Sequence, residues 1–362
     1  MILDAAIDVV KVLAVIGFVM TLAGLLTWVE RKQSAVMQDR IGANRADIFG
    51  FRIIGLFHIM ADGLKMMTKE DFVPPGGNRA LHTLAPFVAF FPALIAFAII
   101  PFGDVLHLGG KTINLQVADF NVGILFLFAV GGMGVYGAVL AGWSSNNKYS
   151  LLGGLRASAQ MISYEITLGL AIVGVLMVFQ SLQLSEISRA QGELIFGFIP
   201  KWGFVVQPLG FILFITAAVA ENKRIPFDLP EGESEIIGFF TEYSGMKWGM
   251  FMFSEFVETV VASGIITSLF FGGWQVPYLV ADGFLFPGGF SFGLPHLLVV
   301  LLQVGAFTLK VVFFCWLLLT IRWTLPRFRY DQVMRLGWKY MLPLGLVNIL
   351  LTGAAIVALQ AH

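Results

Sequence analysis

Eight apolar runs near bilayer-spanning length, separated by loops that carry most of the charge, constrain this 362-residue chain more than any other feature. A helix rising ~1.5 Å per residue needs about 20 residues to cross a hydrocarbon core of ~30 Å. The runs occupy residues 7–29, 84–102, 122–143, 158–178, 205–220, 248–271, 297–321 and 341–359, the fifth being the shortest. Lipid offers no hydrogen-bond partner to an unpaired backbone group, so such runs fold as helices. The expectation is an all-α polytopic membrane protein, a single transmembrane domain over 1–362. Asp4 and Asp8 precede the first run and no small-residue cleavage site follows it, so it reads as a membrane helix and not as a signal peptide.

The loops set the orientation. Lys and Arg number eight in the first loop, two in the third, three in the fifth and five in the seventh, against three in all the even loops. By the positive-inside rule the odd loops face the cytoplasm and both termini lie on the other side, in the inner (plasma) membrane if the cell is bacterial. Within the first loop, residues 48–67 alternate apolar and polar groups at helical spacing, with Ile53, Leu56, Phe57, Met60 and Leu64 on one face. This predicts an amphipathic helix on the membrane surface. Pattern alone leaves equally open a solvated helix packed on a partner.

The fifth loop is unusual. Residues 221–243 hold Glu221, Asp228, Glu231, Glu233, Glu235 and Glu242, six of the 23 acids in the chain. Ile-Ile and Phe-Phe pairs and two prolines flank them, which a merely solvated loop would not need. Inside the apolar runs stand four more ionisable groups, Glu165, Glu255, Glu258 and Lys310. Each costs roughly 2.5 to 3.5 kcal/mol to insert, so each calls for a partner, water or a purpose. Glu255 and Glu258, three residues apart, share a helical face, the spacing of a proton-relay pair. The plain alternative is that these groups are members of structural ion pairs or reach toward the headgroups.

Several chemistries are excluded. Cys315 is the only cysteine, and an iron–sulfur cluster typically takes about four thiolates, so redox centres would have to reside in other chains. A net charge of zero argues against nucleic acid. The five histidines show no ligand spacing, and no metal is assigned. Gly132, Gly134 and Gly137 match a dinucleotide-type GxGxxG pattern, but within an apolar run with no strand before it, where close helix packing explains them better.

Several motifs carry a family resemblance over nearly the whole length. They include Glu30-Arg31-Lys32 followed by Gln38 and Arg40, Ala61-Asp62-Gly63-Leu64-Lys65, Lys148-Tyr149-Ser150-Leu151-Leu152-Gly153 and Ile162-Ser163-Tyr164-Glu165. Further along stand Ala220-Glu221, Pro226-Phe227-Asp228-Leu229, Glu231-Gly232-Glu233-Ser234-Glu235, Thr241-Glu242-Tyr243-Ser244-Gly245 and Pro326-Arg327-Phe328-Arg329-Tyr330. On these the chain resembles the H subunit family of bacterial NADH-quinone oxidoreductase, respiratory complex I, whose mitochondrial counterpart is NADH dehydrogenase subunit 1.

The resemblance implies a membrane subunit of a proton-translocating enzyme, with quinone as substrate and NADH, FMN and iron–sulfur clusters held by partner subunits of the same complex. It assigns Arg31, Arg40, Asp62 and Lys65 to the quinone chamber and its entrance. It assigns Glu165, Glu221, Asp228, Glu231, Glu233, Glu235, Glu242 and Glu255 to the acidic path that couples quinone reduction to proton movement; Glu258 joins that path on its placement beside Glu255. The chain departs from the family pattern at Ala43, where proline is usual, at Glu258, where a neutral residue is usual, and in a one-residue shortening between Glu235 and Thr241. Two other readings stay open on the residues alone. One is the related membrane subunit of an ion-pumping hydrogenase or of a quinone reductase with another electron donor; the second is a free-standing proton or ion transporter.

Overall fold

Helices make up the body of the chain, and the computed structural model describes residues 2–108, 110–195, 197–232, 235–287 and 290–360. They are α1 (Ile2–Met37), α2 (Phe57–Thr68), α3 (Arg79–Ala96), α4 (Gly123–Ser144), α5 (Lys148–Phe179), α6 (Leu184–Ala190), α7 (Gly203–Val206), α8 (Pro208–Glu221), α9 (Gly245–Phe270), α10 (His296–Thr324), α11 (Tyr330–Arg335) and α12 (Leu342–Gln360). A π-helical turn, Leu336–Met341, joins α11 and α12 into one rod. Among the described residues, seven helical stretches are long and apolar enough to cross a bilayer, and α8 is a shorter apolar helix of 14 residues. The protein is therefore an all-α polytopic membrane protein.

The long helices run past the apolar cores that announce them. Asn78 starts α3 by accepting the amides of Ala80 and Leu81 at 3.1 and 3.2 Å, and Asn147 starts α5 by accepting that of Tyr149 at 2.9 Å, well before the apolar run at 158 begins. Short antiparallel strands occupy the even loops: β1 (Val105–Leu108) with β2 (Lys111–Asn114), β3 (Leu194–Ile195) with β4 (Ile199–Pro200), and a three-stranded sheet of β5 (Leu279–Val280), β6 (Gly283–Leu285) and β7 (Ser291–Gly293). Two to four residues are too few for a period-two pattern to stand out, which is why the sequence shows them only as loops.

Helix α9 is the hub. α1, α2, α3 and α10 all pack on it, and every residue of 259–270 is buried. Three of the hydroxyls it buries are satisfied within the helix: Thr259, Ser263 and Thr267 donate to the carbonyls four residues earlier at 2.7–2.8 Å. Lipid tails are as apolar as leucine, so close van der Waals packing holds such helices together, and small residues permit it. Gly137 shows this, since a Cβ there would lie 2.7 Å from the backbone nitrogen of Ala89 on α3. The GxGxxG match thus serves helix packing, Gly137 toward α3 and Gly132 and Gly134 toward Glu165 and Met161 of α5. On the outer surface Leu13, Leu309 and Leu350 are 64%, 71% and 72% exposed, a lipid-facing pattern.

One expectation needs correction. The amphipathic helix predicted over 48–67 begins only at Phe57, because Phe49, Gly50, Ile53 and Ile54 all have positive φ (52°, 85°, 37° and 56°) and cannot continue a right-handed helix. Residues before it instead form a small bridge, Ile48 to Phe51, and a 3₁₀ turn, Ile53–Gly55. Its packed face also differs. Ile59 lies over Gly24 of α1 and Met66 over Gly249 of α9, while Met60 and Leu64 from the expected stripe point outward, 56% and 60% exposed.

Candidate functional site

The acid-rich fifth loop is folded into the helices and is not a solvated loop. Phe227, Leu229, Ile236, Phe239 and Tyr243 are all buried, which accounts for the apolar flanks. Helix α5 holds the loop by its backbone: Gln160 Nε2 donates to the carbonyls of Ala220 and Phe227 at 2.7 and 2.8 Å, and Ser150 Oγ to that of Phe239 at 2.6 Å. Gly153 must be glycine here, since a Cβ would come within 2.8 Å of the Phe239 nitrogen. The segment read as one residue short closes through Ile237 and Gly238, both at positive φ (74° and 137°). An isoleucine there is strained backbone. Glu233 lies outside the described residues.

Anchored this way, the loop places cations between carboxylates from two helices, α1 and α9, and from the loop itself. Arg224, 5% exposed, reaches Glu30 of α1 at 3.5 Å and Glu255 of α9 at 4.0 Å, with its guanidinium 4.4 Å over the Phe256 ring. Glu30 also pairs with Arg322 of α10 at 2.8 Å. Lys223 lies 3.8 Å from Glu258, and Arg327 pairs with Asp228 at 2.7 Å. Buried charges survive only when paired in this manner.

Against this network lies a cavity of about 920 Å³, lined by Ile225, Asp228, Glu231, Ile237, Phe240, Thr241, Tyr243, Trp248, Met252, Glu255, Arg322 and Arg327. One part of its wall is aromatic and apolar and another carries carboxylates facing arginines. Its volume suits a small organic head group, and binding pockets commonly combine apolar walls with a few convergent polar groups.

Proton affinity is displaced around it. Burial first, then the neighbouring Glu255 carboxyl to which it is hydrogen-bonded, holds Glu231 well above the ordinary carboxylate range. Burial raises Asp228 to about 6, against the pull of Arg327. Burial also pushes the Tyr243 hydroxyl up to about 12, opposed by its hydrogen bond with Ser144, so it stays a proton donor at neutral pH. Both acids thus hold protons in the fold that a free chain would release, and the stability this contributes is lost as pH rises through the raised values, for Asp228 between about 4 and about 6.

The other expected residues fall into three places. Glu231, Asp228 and Glu255 line the cavity. Glu165, Glu221 and Glu258 lie deeper: Glu221 and Glu258 line an apolar crevice among α3, α4, α5, α8 and α9, and the Glu165 carboxylate sits against Gly132 of α4. Glu235 and Glu242 are peripheral. Glu235, exposed, pairs with Arg156 at 2.6 Å, and Glu242 accepts from Asn147 at 2.7 Å. Arg31, Asp62 and Lys65 form a cluster where α2 meets α1, with Arg31–Asp62 at 2.5 Å and Lys65–Asp62 at 3.6 Å; Arg40 is exposed and binds Gln38 at 2.7 Å. None of these four lines the cavity.

The structure adds residues that sequence reasoning did not single out. Glu30 and Arg322 sit at the ends of apolar runs, where a charge reads as a boundary and only the fold shows that they pair. His82 of α3 is fully buried and stacks on Tyr243 with ring centroids 3.9 Å apart. Lys310 is a different case. Its ammonium donates to the carbonyls of Phe271, Gly273 and Gln275 at 2.8, 3.0 and 2.7 Å and lies 4.8 Å from the Trp202 ring centroid, which closes the C-terminal end of α9. Replacing Lys310 by Met should cost about 3 kcal/mol by leaving these acceptors unmet. The expected readout is a lower thermal inactivation temperature with the coupling stoichiometry unchanged; altered coupling at unchanged stability would contradict the capping role.

Comparison with known proteins identifies the family. The NADH dehydrogenase family model matches residues 10–353. Similar proteins include the NADH-quinone oxidoreductase H subunit numbered 1 in Cytophaga hutchinsonii, 44% identical over 96% of this chain and 95% of that protein. The H subunit numbered 2 in Syntrophobacter fumaroxidans is 46% identical over 96% of this chain and 95% of its own length, and that numbered 2 in Rhizobium meliloti is 44% identical over 98% of both.

Proposed function

This chain belongs to the NADH dehydrogenase family and is a membrane subunit of NADH-quinone oxidoreductase, and we propose that its 920 Å³ cavity receives the quinone head group while the acids around it carry the resulting charge change to protons. The single observation that supports this most is that one cavity joins an aromatic wall, Phe240, Tyr243 and Trp248, to carboxylates whose protons are held at raised affinity. The aromatic wall accepts a flat ring. The Tyr243 hydroxyl, Arg322 and Arg327 can donate hydrogen bonds to its carbonyl oxygens.

In this reading electrons reach the quinone from flavin and iron–sulfur centres in partner subunits of the complex, and this chain supplies position and charge. Two electrons placed on the ring create negative charge beside Glu231 and Glu255, which raises the affinity of those carboxyls for protons. Protons drawn in at Asp228 and Glu231 then pass inward through Glu255 toward Glu221, Glu258 and Glu165, with Glu235 and Glu242 at the outer margin of the path; Glu233 is assigned to the same path on the family resemblance alone. The isoprenoid tail enters from the bilayer between α1 and α2, where Arg31, Asp62, Lys65 and, nearby, Arg40 form the polar lip. Met60, Leu64 and Met67, exposed on α2, face the lipid there. The odd loops face the bacterial cytoplasm and dock the partner subunits, and the strand-bearing even loops and both termini lie on the far side of the inner membrane.

A photoreactive quinone incubated with the native complex, followed by mass mapping, tests the assignment. Label is expected at Trp248 or Met252 and within residues 31–65. Label confined to α10 and α12 would sink it.

A further inference from the structure

Two spaces meet beside α9, where its Glu258 pairs with Lys223 of the fifth loop. Glu255 lines the large cavity, while Glu258, about one helical turn further along the same face, lines the apolar crevice of about 80 Å³ together with Glu221 and Asn222. That volume admits a few water molecules. Lys223 stands at the junction, its side chain 6% exposed and its ammonium 3.8 Å from Glu258 and 5.9 Å from the Phe239 ring centroid. Glu258 is the carboxylate in contact with the ammonium, and Glu255, Glu231 and Glu221 act on it electrostatically from further away. Glu258 in turn faces Lys223, Glu255 and Arg224, while Glu221 faces Glu165, Glu258 and Lys223. Among the described residues Glu221 has no hydrogen-bond or ion-pair partner, although Lys223 lies within its electrostatic reach. A lysine on a four-carbon stem can serve one carboxylate or the other.

We propose that Lys223 and Glu258 form a charge-exchange relay that moves protons between the cavity and the crevice, with Glu221 as the alternate partner of the lysine. The proposal rests on the reading of the cavity acids given above. The cycle starts with Glu258 as the carboxylate paired with Lys223, the pairing the geometry shows, and with the proton on Glu221. A proton arriving by way of Glu255 forms an O–H bond on Glu258 and dissolves the pair. Lys223 keeps its charge and turns to Glu221, whose O–H bond breaks as its proton passes to water in the crevice. Reset follows when Glu258 hands its proton to Glu221 and Lys223 returns. One proton enters from the cavity and one leaves to the crevice, so the charge at the junction is restored each cycle.

The test uses the whole complex reconstituted in liposomes, with Glu258→Gln, Lys223→Met and the double variant, and NADH oxidation by an artificial acceptor as the assembly control. Each single variant should lower NADH-driven quinone reduction and its coupled proton uptake about tenfold, the factor set by one pKa unit of lost proton driving force. Glu258→Asp should restore a substantial part. The double variant distinguishes a relay from a structural pair: it leaves no buried charge unpaired, so a structural role predicts recovery, whereas the relay predicts that it stays slow. Wild-type rates in Glu258→Gln, or recovery in the double variant, overturn the proposal. If Glu255→Gln collapses quinone reduction while Glu258→Gln is silent, the relay falls and the cavity reading stands. If both are silent, the cavity reading itself fails.

Discussion

Replacing Arg224 by Met is expected to prevent stable assembly of the subunit, at a cost of about 3–5 kcal/mol, the usual range for removing one partner from a buried charge network. Arg224 is 5% exposed and is the only cation within 4.0 Å of Glu255 among the described residues, while Glu30 would keep Arg322 alone. Without it the buried Glu255 carboxylate has to remain charged and unpaired or take up a proton. The side chain also fills space over Phe256, so a neutral residue of similar length still leaves the charge defect. Arg224→Lys should recover only part of the loss, because one ammonium cannot span two carboxylates on different helices as a planar guanidinium does. Blue-native gels of solubilised membranes give the yield of intact complex: strongly reduced for Met, intermediate for Lys. Normal yield of the Met variant would mean that Glu30 and Glu255 are not charged together.

Glu231→Gln should leave assembly intact and slow NADH-driven quinone reduction about tenfold, within the range of effects that proton-transfer groups have when removed. Glutamine keeps the size and polarity of Glu231 and removes the proton it can bind beside Glu255. NADH oxidation by an artificial acceptor, which bypasses the quinone, should be unchanged. The pH dependence has a definite sign. Glu231 is held well above the ordinary carboxylate range, so it is loaded at lower pH and loses its proton as pH rises through that raised value. Wild-type quinone reduction should therefore fall toward alkaline pH, and the variant should lose that limb. Glu235→Gln should be mild, since Glu235 is exposed and, among the described residues, its side chain pairs only with Arg156 in solvent contact.

The membrane-spanning runs were legible in the sequence because hydropathy over about 20 residues is a physical requirement of the bilayer. The short run near 205–220 was legible too, as helix α8. Ile53 and Ile54 show where that reading ends. Their spacing suits a helix, and nothing in their chemistry announces the positive φ that delays α2 to Phe57. The acids were visible as rare charges in an apolar chain, but their partners were not. Glu30, Arg224 and Arg322 come from α1, the fifth loop and the end of α10, some 290 positions apart at the extremes, and only the packing brings them within 4 Å. Lys310 reads only as an intramembrane charge in need of a partner until the three carbonyls at the end of α9 supply it. Arg31, Asp62 and Lys65 were expected in the chamber and do stand together, as a cluster at the α1–α2 contact apart from the cavity.

Carboxyls beside this cavity should change protonation when the quinone is reduced, and everything proposed for the chain depends on that change. Infrared difference spectroscopy of the complex, oxidised minus reduced quinone, reads it directly. A protonated-carboxyl carbonyl band that shifts with hydrogen–deuterium exchange and disappears in Glu231→Gln is the expected result. A difference spectrum with no carboxyl band, or with a band unaffected by Glu231→Gln and Glu255→Gln alike, would contradict it.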